Sequence, residues 1–284
     1  MNRVELLVLG SGGPFVNRWR TSSAYALMID GDARVLVDAG GGVFERLGRA
    51  GIAPAGLGMV LLTHTHIDHT GGLAPVVFSA FMEGRAAPLT IVGPAAGNDQ
   101  PGCTRFVDLL FGPEGAWSYL HSFEGFRIDA REVPSDPSRD AQVTVIDDGT
   151  VQVRAVAVPH GMMPSVAYRI DLGGVAVVFS GDVQEFHQSL VELAAGCDTL
   201  ICNLALPERE VEHSHLHAKP SQVGKMADES GARQLLLTHF MPEIEDELPD
   251  AVSEVRSRYR GELILAEDLL RVLVPPARGP GSSI

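Results

Sequence analysis

Short apolar runs separated by turns rich in glycine, proline and aspartate dominate the chain, and this pattern predicts many β-strands. Near the amino terminus the predicted strands are Val4–Leu9, Ala24–Ile29 and Arg34–Asp38, followed by the buried run Gly58–Leu62. The later predicted strands are Leu89–Val92, Phe126–Val133, Val143–Ile146, Val151–Val158, Val166–Asp171, Val175–Phe179, Thr199–Cys202, Gln234–Leu237, Leu263–Leu265 and Leu269–Val274.

Segments with helical spacing of apolar residues lie between these strands. The predicted helices are Val43–Ala50, Leu73–Met82, Thr104–Leu110, Gly115–His121, Glu185–Ala195, Lys219–Ser230 and Ala251–Arg258. Two β-rich halves with helices attached to each predict an α/β protein in which two sheets pack face to face. We expect one domain over residues 1–275 and a disordered tail over residues 276–284, which are rich in proline, glycine and serine.

Composition limits the function classes. The chain has 284 residues and a net charge of −14, which argues against a general nucleic-acid binder, although a local basic patch remains open. No segment reaches the about 18 consecutive apolar residues of a membrane span. Three widely spaced cysteines predict neither a disulfide framework nor a thiolate metal site, and they favour a reducing cytoplasm.

The segment Thr63–Gly72 carries the strongest chemical signal, because it holds three histidines and an aspartate within six positions. In an extended segment His64 and His66 share one face, and the turn that follows can direct Asp68 and His69 to a second point. One short loop could therefore serve two adjacent metal ions.

Three more candidate ligands each follow an apolar strand: His160, Asp182 and His239. A single histidine at a strand end is more often structural. Strands that run in the same direction present their ends at one edge, so residues distant in sequence can meet there. The repetition of this placement favours one shared metal site.

These residues resemble the metallo-β-lactamase superfamily in the pattern His64-Thr-His66-Ile-Asp68-His69, with Asp182 in Ser-Gly-Asp and His239 in Leu-Thr-His-Phe. The resemblance implies a four-layer αββα sandwich of two mixed sheets with external helices. It also implies a binuclear hydrolase that acts through a metal-bridging hydroxide.

The ligand assignment follows from the same resemblance. It places one metal on His64, His66 and His160, the other on Asp68, His69 and His239, and Asp182 between them. Zinc is the ion that the family implies, although manganese or iron fits the same ligands. Asp38 is expected to hydrogen bond to a ligand histidine from behind; the alternative is that it only caps the glycine-rich turn.

Within this superfamily the chain is most similar to ribonuclease Z and its phosphodiesterase relatives. That similarity implies that His217 protonates the leaving oxygen and that Asp68 orients the attacking hydroxide. His213 and His215, in the same loop, are predicted to be exposed and without function. Arg18, Arg20 and Arg169 are candidate contacts for an anionic substrate, with a purely surface role equally open.

Two departures from ribonuclease Z shape the substrate prediction. Asn203 stands where that group usually has an acid to orient the histidine, which leaves Glu208, Glu210 or Glu212 as substitutes. Only 22 positions separate His160 from Asp182, too few for the family's tRNA-binding arm.

We therefore expect a small ester or phosphodiester as substrate, no tRNA, no membrane and, by family, a homodimer. The alternatives are a lactonase, thioesterase, arylsulfatase or β-lactamase, an iron-dependent oxygenase, or a scaffold without catalysis.

Overall fold

The computed structural model describes residues 2–139 and 141–274, and fourteen strands and eight α-helices lie within those ranges. The strands are β1 (Val4–Gly10), β2 (Ala24–Ile29), β3 (Asp32–Ala39), β4 (Met59–Leu61), β5 (Leu89–Pro94), β6 (Ile128–Val133), β7 (Val143–Asp147), β8 (Val151–Val158), β9 (Ser165–Leu172), β10 (Val175–Phe179), β11 (Thr199–Asn203), β12 (Gln234–Thr238), β13 (Glu262–Leu265) and β14 (Arg271–Leu273). The α-helices are α1 (Val43–Ala50), α2 (Ile67–Thr70), α3 (Leu73–Met82), α4 (Cys103–Phe111), α5 (Gln188–Leu193), α6 (Pro220–Ser230), α7 (Pro242–Glu245) and α8 (Leu248–Arg258).

The strands form two seven-stranded sheets. The first has the order β14-β1-β2-β3-β4-β5-β6 and the second the order β13-β12-β11-β10-β9-β8-β7. Strand β14 pairs antiparallel with β1, so the end of the described chain completes the first sheet. The predicted sandwich of two mixed sheets is confirmed.

Successive side chains of a strand belong in turn to two separate apolar layers. On β1, Leu6 and Val8 point into the core shared by the two sheets, whereas Leu7 and Leu9 belong to the layer that faces the helices. Strand residues alternate in this way because successive side chains project to opposite faces. Helices α1, α3 and α4 cover the first sheet, while α5, α6 and α8 pack on the second, which gives four layers.

Parallel pairing brings the important strand ends to one edge of the sandwich. Strands β3 to β6 are parallel to one another in the first sheet, as are β10 to β13 in the second. Strand β8 points the same way as β10, because each pairs antiparallel with β9. The carboxyl ends of these strands therefore lie together, as the sequence predicted.

Three local elements differ from the predicted ones. Residues 115–121 were predicted as an α-helix, but the chain forms a short 3₁₀ helix at Ser118–Ser122, whose amides bond three residues back, as Leu120 does to Trp117. Helix α5 is shorter than the predicted Glu185–Ala195. Helix α2 was predicted only as a turn.

The aromatic-rich stretch between residues 103 and 126 mainly belongs to the packed side of the first sheet. Phe111 is buried, and Phe106, Trp117 and Phe123 pack against the same apolar layer. Tyr119 is exposed. Most of its aromatic side chains therefore belong to the core.

The assignment of residues 1–275 to one domain stays a prediction, and the predicted tail at 276–284 lies outside the described residues. Between residues 2 and 139 and between 141 and 274, no helix combines the length and apolarity needed to cross a membrane.

Candidate metal centre

Seven predicted ligands converge at the edge where the strand ends meet. Thr63 to His66 follow β4, and His160, Asp182 and His239 follow β8, β10 and β12. His239 has a backbone φ of 60°, in the left-handed region that non-glycine residues rarely adopt. Such a conformation is retained where the surrounding structure enforces it, often at a functional site.

The first ligand group consists of His64, His66 and His160. Nδ1 of His66 lies 3.0 Å from Nε2 of His64 and 3.3 Å from Nε2 of His160. The three ligand nitrogens lie within 4.8 Å of one another. Three imidazole nitrogens at this spacing can hold a divalent metal ion.

The second ligand group consists of Asp68, His69 and His239. Oδ2 of Asp68 lies 3.6 Å from Nε2 of His69 and 3.3 Å from Nε2 of His239. These three side chains are buried and their ligand atoms also lie within 4.8 Å of one another. Asp68 and His69 come from α2, which places them beside His239 of the second sheet.

Asp182 lies between the two groups. Its Oδ2 is 3.5 Å from Nε2 of His160 and 3.4 Å from Nε2 of His239, and its Oδ1 is 3.4 Å from Nε2 of His69. One carboxylate therefore reaches ligands of both groups. The family resemblance implied a bridging role for Asp182, and that role stays a prediction.

Several nitrogens in this cluster are buried without a hydrogen-bond partner among the described residues. They are Nε2 of His69, both ring nitrogens of His239 and Nδ1 of His217. A buried unpaired polar atom is costly, so nitrogens that face a carboxylate-lined centre fit a bound cation. The three cysteines lie within the apolar cores, so the donor set is nitrogen and oxygen, which suits zinc, manganese or iron.

Hydrogen bonds behind the ligands hold the imidazoles in place. Asp38 accepts a hydrogen bond from Nδ1 of His69 at 2.7 Å and another from the backbone amide of Thr63 at 2.8 Å. The Thr63 hydroxyl lies 2.9 Å from Asp38 and 3.1 Å from Nδ1 of His64. His160 is fixed through the carbonyl oxygen of Leu216, 3.1 Å from its Nδ1.

Charge is distributed unevenly over the histidines. Burial lowers the pKa of His64, His66 and His160, which keeps these imidazoles neutral and available as ligands. Burial also disfavours a charge on His69, but Asp182 and the other nearby carboxylates outweigh it and raise its pKa to about 10. Without a metal, His69 is therefore in its doubly protonated, positively charged form at neutral pH.

The charge of Asp68 is determined by the histidines beside it. Burial alone would raise its pKa, but His69 and His239 outweigh burial and lower the pKa to about 2. The carboxylate is therefore ionised at neutral pH and ready to act as a ligand.

His217 lies directly beside the ligand cluster. Its ring centre is 5.5 Å from that of His160 and 5.3 Å from that of His239, and its Nδ1 lies 3.9 Å from Oδ2 of Asp182. Burial lowers the pKa of His217 to about 3, so the resting imidazole is neutral. An incoming anion would favour its protonated form.

Two of the three acids considered as partners for His217, Glu208 and Glu210, bind other residues, and so does Asn203. Asn203 donates from Nδ2 to Oδ1 of Asp182. Glu208 accepts hydrogen bonds from the amide and hydroxyl of Ser221, and Glu210 pairs with Lys219. A carboxylate that does lie close to His217 is that of Asp182, whose Oδ2 is 3.9 Å from Nδ1 of His217.

A pocket of about 280 Å³ opens onto the cluster. Its floor is formed by His217 and by five of the candidate ligands, His66, Asp68, His160, Asp182 and His239, and its walls are largely apolar. The wall residues are Pro14, Phe15, Ile67, His213, Leu216 and Met241. Sequence analysis did not identify the apolar wall residues as part of a pocket, because they come from separate segments of the chain. It also predicted that His213 is exposed and without function, whereas His213 lines this pocket.

The three arginines proposed as substrate contacts do not line this pocket. Arg169 donates to the carbonyl oxygens of Leu193 and Ala195 near the end of α5, because its position within β9 is several residues from the metal edge. Arg20 donates to the Ser11 hydroxyl and the carbonyl oxygen of Ala266.

Arg18 is the exposed member of the set, with its guanidinium 4.8 Å from the centre of the Trp19 ring. The neighbouring cavity that Arg20 lines, about 490 Å³, is acidic, since Glu245, Glu267 and Asp268 also face it. These positions therefore give no support to anion binding by Arg20 or Arg169.

Comparison with known proteins places this geometry in context. The family model described as "Beta-lactamase superfamily domain" matches residues 33–240. A protein named Ribonuclease Z from Mycobacterium bovis (strain BCG / Pasteur 1173P2) is 29% identical, with 97% of this chain and 100% of the relative covered.

Two solved structures share the fold. The metallo-beta-lactamase fold protein YhfI from Bacillus subtilis has a TM-score of 0.72 at 24% identity, over 95% of this chain and 99% of that one. The short form of human tRNase Z has a TM-score of 0.73 at 22% identity, over the same shares of the two chains.

The prediction against tRNA is wrong in the light of these relatives, because full-length proteins named Ribonuclease Z align with nearly the whole chain. The expected small-molecule substrate has no support either. The net charge of −14 describes the whole surface and not the metal edge. The segment between His160 and Asp182 is short because it holds only β9 and β10, and its length does not alter the candidate metal centre.

Proposed function

The chain belongs to the beta-lactamase superfamily, and from its metal centre we propose that it is a binuclear metal-dependent phosphodiesterase that hydrolyses RNA. The proposal draws its RNA substrate from the relatives named Ribonuclease Z and from the structural relative named tRNase Z. It draws its chemistry from the residues of this chain.

One observation carries the proposal: Asp182 reaches ligands of two separate groups. His64, His66 and His160 would hold one metal, and Asp68, His69 and His239 the other. Two divalent ions at such a site lower the pKa of water to near neutrality and offset the charge of a phosphodiester. We propose zinc, because the ligands are imidazoles and carboxylates, with manganese or iron compatible with the same set.

Asp68 and His217 have separate tasks in this proposal. Asp68 is ionised and faces the pocket, so its carboxylate can accept a hydrogen bond from the attacking water and direct a lone pair of that water at phosphorus. His217 lies across the ligand cluster and can donate a proton to the leaving oxygen once the anionic substrate is bound. A ribose leaving oxygen needs such a proton because it is a poor leaving group as an alkoxide.

The walls of the pocket suit part of a polymer. Phe15, Ile67, Leu216 and Met241 surround the ligand floor with apolar surface, which excludes water from the reacting phosphate. Phe15 and Ile67 are also exposed at the rim, 42% and 79%, where an unpaired base could pack against them.

Cleavage of a tRNA transcript by the purified full-length chain tests this function. The protein is stripped of metal and then assayed with added Zn²⁺ or Mn²⁺, with a chelator as the control. We expect metal-dependent cleavage that falls by at least about a hundredfold in His66→Ala, because losing one ligand removes several kcal/mol of transition-state stabilisation. An intact transcript with a fully metal-loaded protein would contradict the proposal.

We also propose that the protein works in a reducing compartment such as the cytoplasm. Its three cysteines are buried as free thiols, and burial raises the pKa of Cys103 to about 12, which disfavours the reactive thiolate.

A further inference from the structure

Asn203 is the last residue of β11 and a neighbour of the metal edge. In the sheet it lies opposite Thr238, the residue just before His239. Its side chain is buried. The family resemblance led us to expect an acid that orients His217, yet the amide of Asn203 points at a different residue.

That residue is Asp182, the carboxylate shared by both ligand groups. Nδ2 of Asn203 donates a hydrogen bond to Oδ1 of Asp182. The other oxygen, Oδ2, faces four histidines at 3.4 to 3.9 Å: His64, His160, His217 and His239. The two oxygens of this carboxylate therefore have different surroundings.

The amide supplies what a carboxylate in this position needs. A free carboxylate can rotate about its Cβ–Cγ bond, and its two oxygens are chemically equivalent. A donor that holds one oxygen removes this freedom and fixes the direction of the other. Asparagine can donate here, whereas an ionised acid can only accept, and two ionised carboxylates in contact repel each other.

We propose that Asn203 is a positioning residue that fixes the rotation of Asp182, so that Oδ2 is directed at the histidines of both ligand groups and at His217. This inference rests on the proposed function, since Asp182 must be a metal ligand for its rotation to matter. The proposal also explains why this chain lacks the acid that ribonuclease Z usually has at the position of Asn203. The donor to Asp182 occupies that position, and Asp182 itself is a carboxylate beside His217.

The experiment compares zinc binding in the full-length wild-type chain and three variants. Asn203→Leu removes the donor at similar volume, and Asn203→Ala removes it in case the leucine variant does not fold. Thr199→Val is the matched control, because Thr199 lies at the other end of β11 and its buried hydroxyl donates to Gln234 at 2.9 Å. Each protein is stripped of metal and titrated with Zn²⁺ alone against a chelating dye, and its Tm is recorded with and without zinc.

We expect zinc affinity to fall about 10- to 100-fold in both Asn203 variants, as is typical when a hydrogen bond behind a metal ligand is lost. The increase of Tm on adding zinc should shrink with it. A merely structural role would lower the Tm of the metal-free protein and leave zinc affinity unchanged, which is the result expected for Thr199→Val.

Zinc affinity within about twofold of wild type in a folded Asn203 variant would overturn this inference alone. A wild-type chain that binds neither Zn²⁺ nor Mn²⁺ would overturn the proposed function and the inference with it. The two failures are therefore distinguishable.

Discussion

Nδ1 of His69 donates a hydrogen bond to Oδ2 of Asp38 across 2.7 Å, and both side chains are buried. Because Nδ1 carries the proton in this bond, Nε2 is the nitrogen left to face Asp68 and Asp182. Asp38 thus determines that Nε2 of His69, and not Nδ1, points to the ligand cluster. Asp38 itself does not line the pocket.

Asp38→Ala should weaken metal binding by about 10- to 100-fold, because His69 loses the acceptor that orients it. The measurement is a zinc titration of the metal-stripped protein against a chelator. Asp198→Ala is the control: Asp198 is also a buried carboxylate, but it accepts hydrogen bonds from Ala176 and Arg233, away from the ligands. Unchanged zinc content in Asp38→Ala would show that Asp38 only caps its turn.

Metal binding should release a proton from His69. The carboxylates around this imidazole outweigh burial and raise its pKa to about 10, so at pH 7.5 the metal must displace a proton to bind. Affinity should therefore rise by up to about tenfold per pH unit towards pH 10.

The same shift has the opposite effect on the stability of the metal-free protein. A pKa raised in the folded state stabilises the protein fully below about pH 6.5, the unfolded value, and this contribution is lost as the pH rises to 10.

The release of a proton from His69 is tested by calorimetry of zinc binding in two buffers with different heats of ionisation, which counts the released protons. A count of zero at pH 7.5 would refute the proton assignment.

His217→Ala should lower RNA cleavage by about 100- to 10,000-fold while zinc binding remains within about twofold of wild type. The reason is that His217 would act on the leaving oxygen and not as a required metal ligand. The matched control is His215→Ala, because His215 is exposed in the same loop. Cleavage at the wild-type rate in His217→Ala, or loss of zinc along with activity, would reject the proton-donor role.

Tyr168→Phe should lower the free energy of unfolding by about 1 kcal/mol, the typical net contribution of one buried hydrogen bond. The Tyr168 hydroxyl donates to the carbonyl oxygen of Leu62 at 3.0 Å and so ties β9 to the segment just before the histidine cluster. Chemical denaturation of the metal-free protein measures the change. Tyr119→Phe, at an exposed position, should alter stability little, and equal effects in the two variants would contradict the account.

Sequence reasoning could bring the candidate ligands together because their signal is local. His160, Asp182 and His239 each follow an apolar run, and parallel strands must place such residues at a common edge. The chemistry of imidazole and carboxylate then suggests a metal. The hydrogen bonds of the Thr63 hydroxyl to Asp38 and His64 were missed, although Thr63 directly precedes the cluster, since a hydroxyl at that place is not distinctive in sequence.

Other features depend on tertiary contacts that no local pattern carries. Strand β14 joins the first sheet from the far end of the chain, and the pocket walls at Phe15, Leu216 and Met241 come from three separate loops. Arg169 was misplaced because a sequence does not tell how far along its strand the metal edge lies. Whole-chain charge misled the substrate prediction, since it averages over the whole surface and does not describe the candidate metal centre.

The central claim is a two-metal centre built from both ligand groups, and the number of zinc ions bound per full-length chain tests it most directly. Elemental analysis after zinc loading and removal of free metal should give two ions for the wild type. His66→Ala and His239→Ala should each reduce the number to about one, because they remove ligands from different groups. A wild-type value of one, or a value of two that neither substitution changes, would contradict the claim.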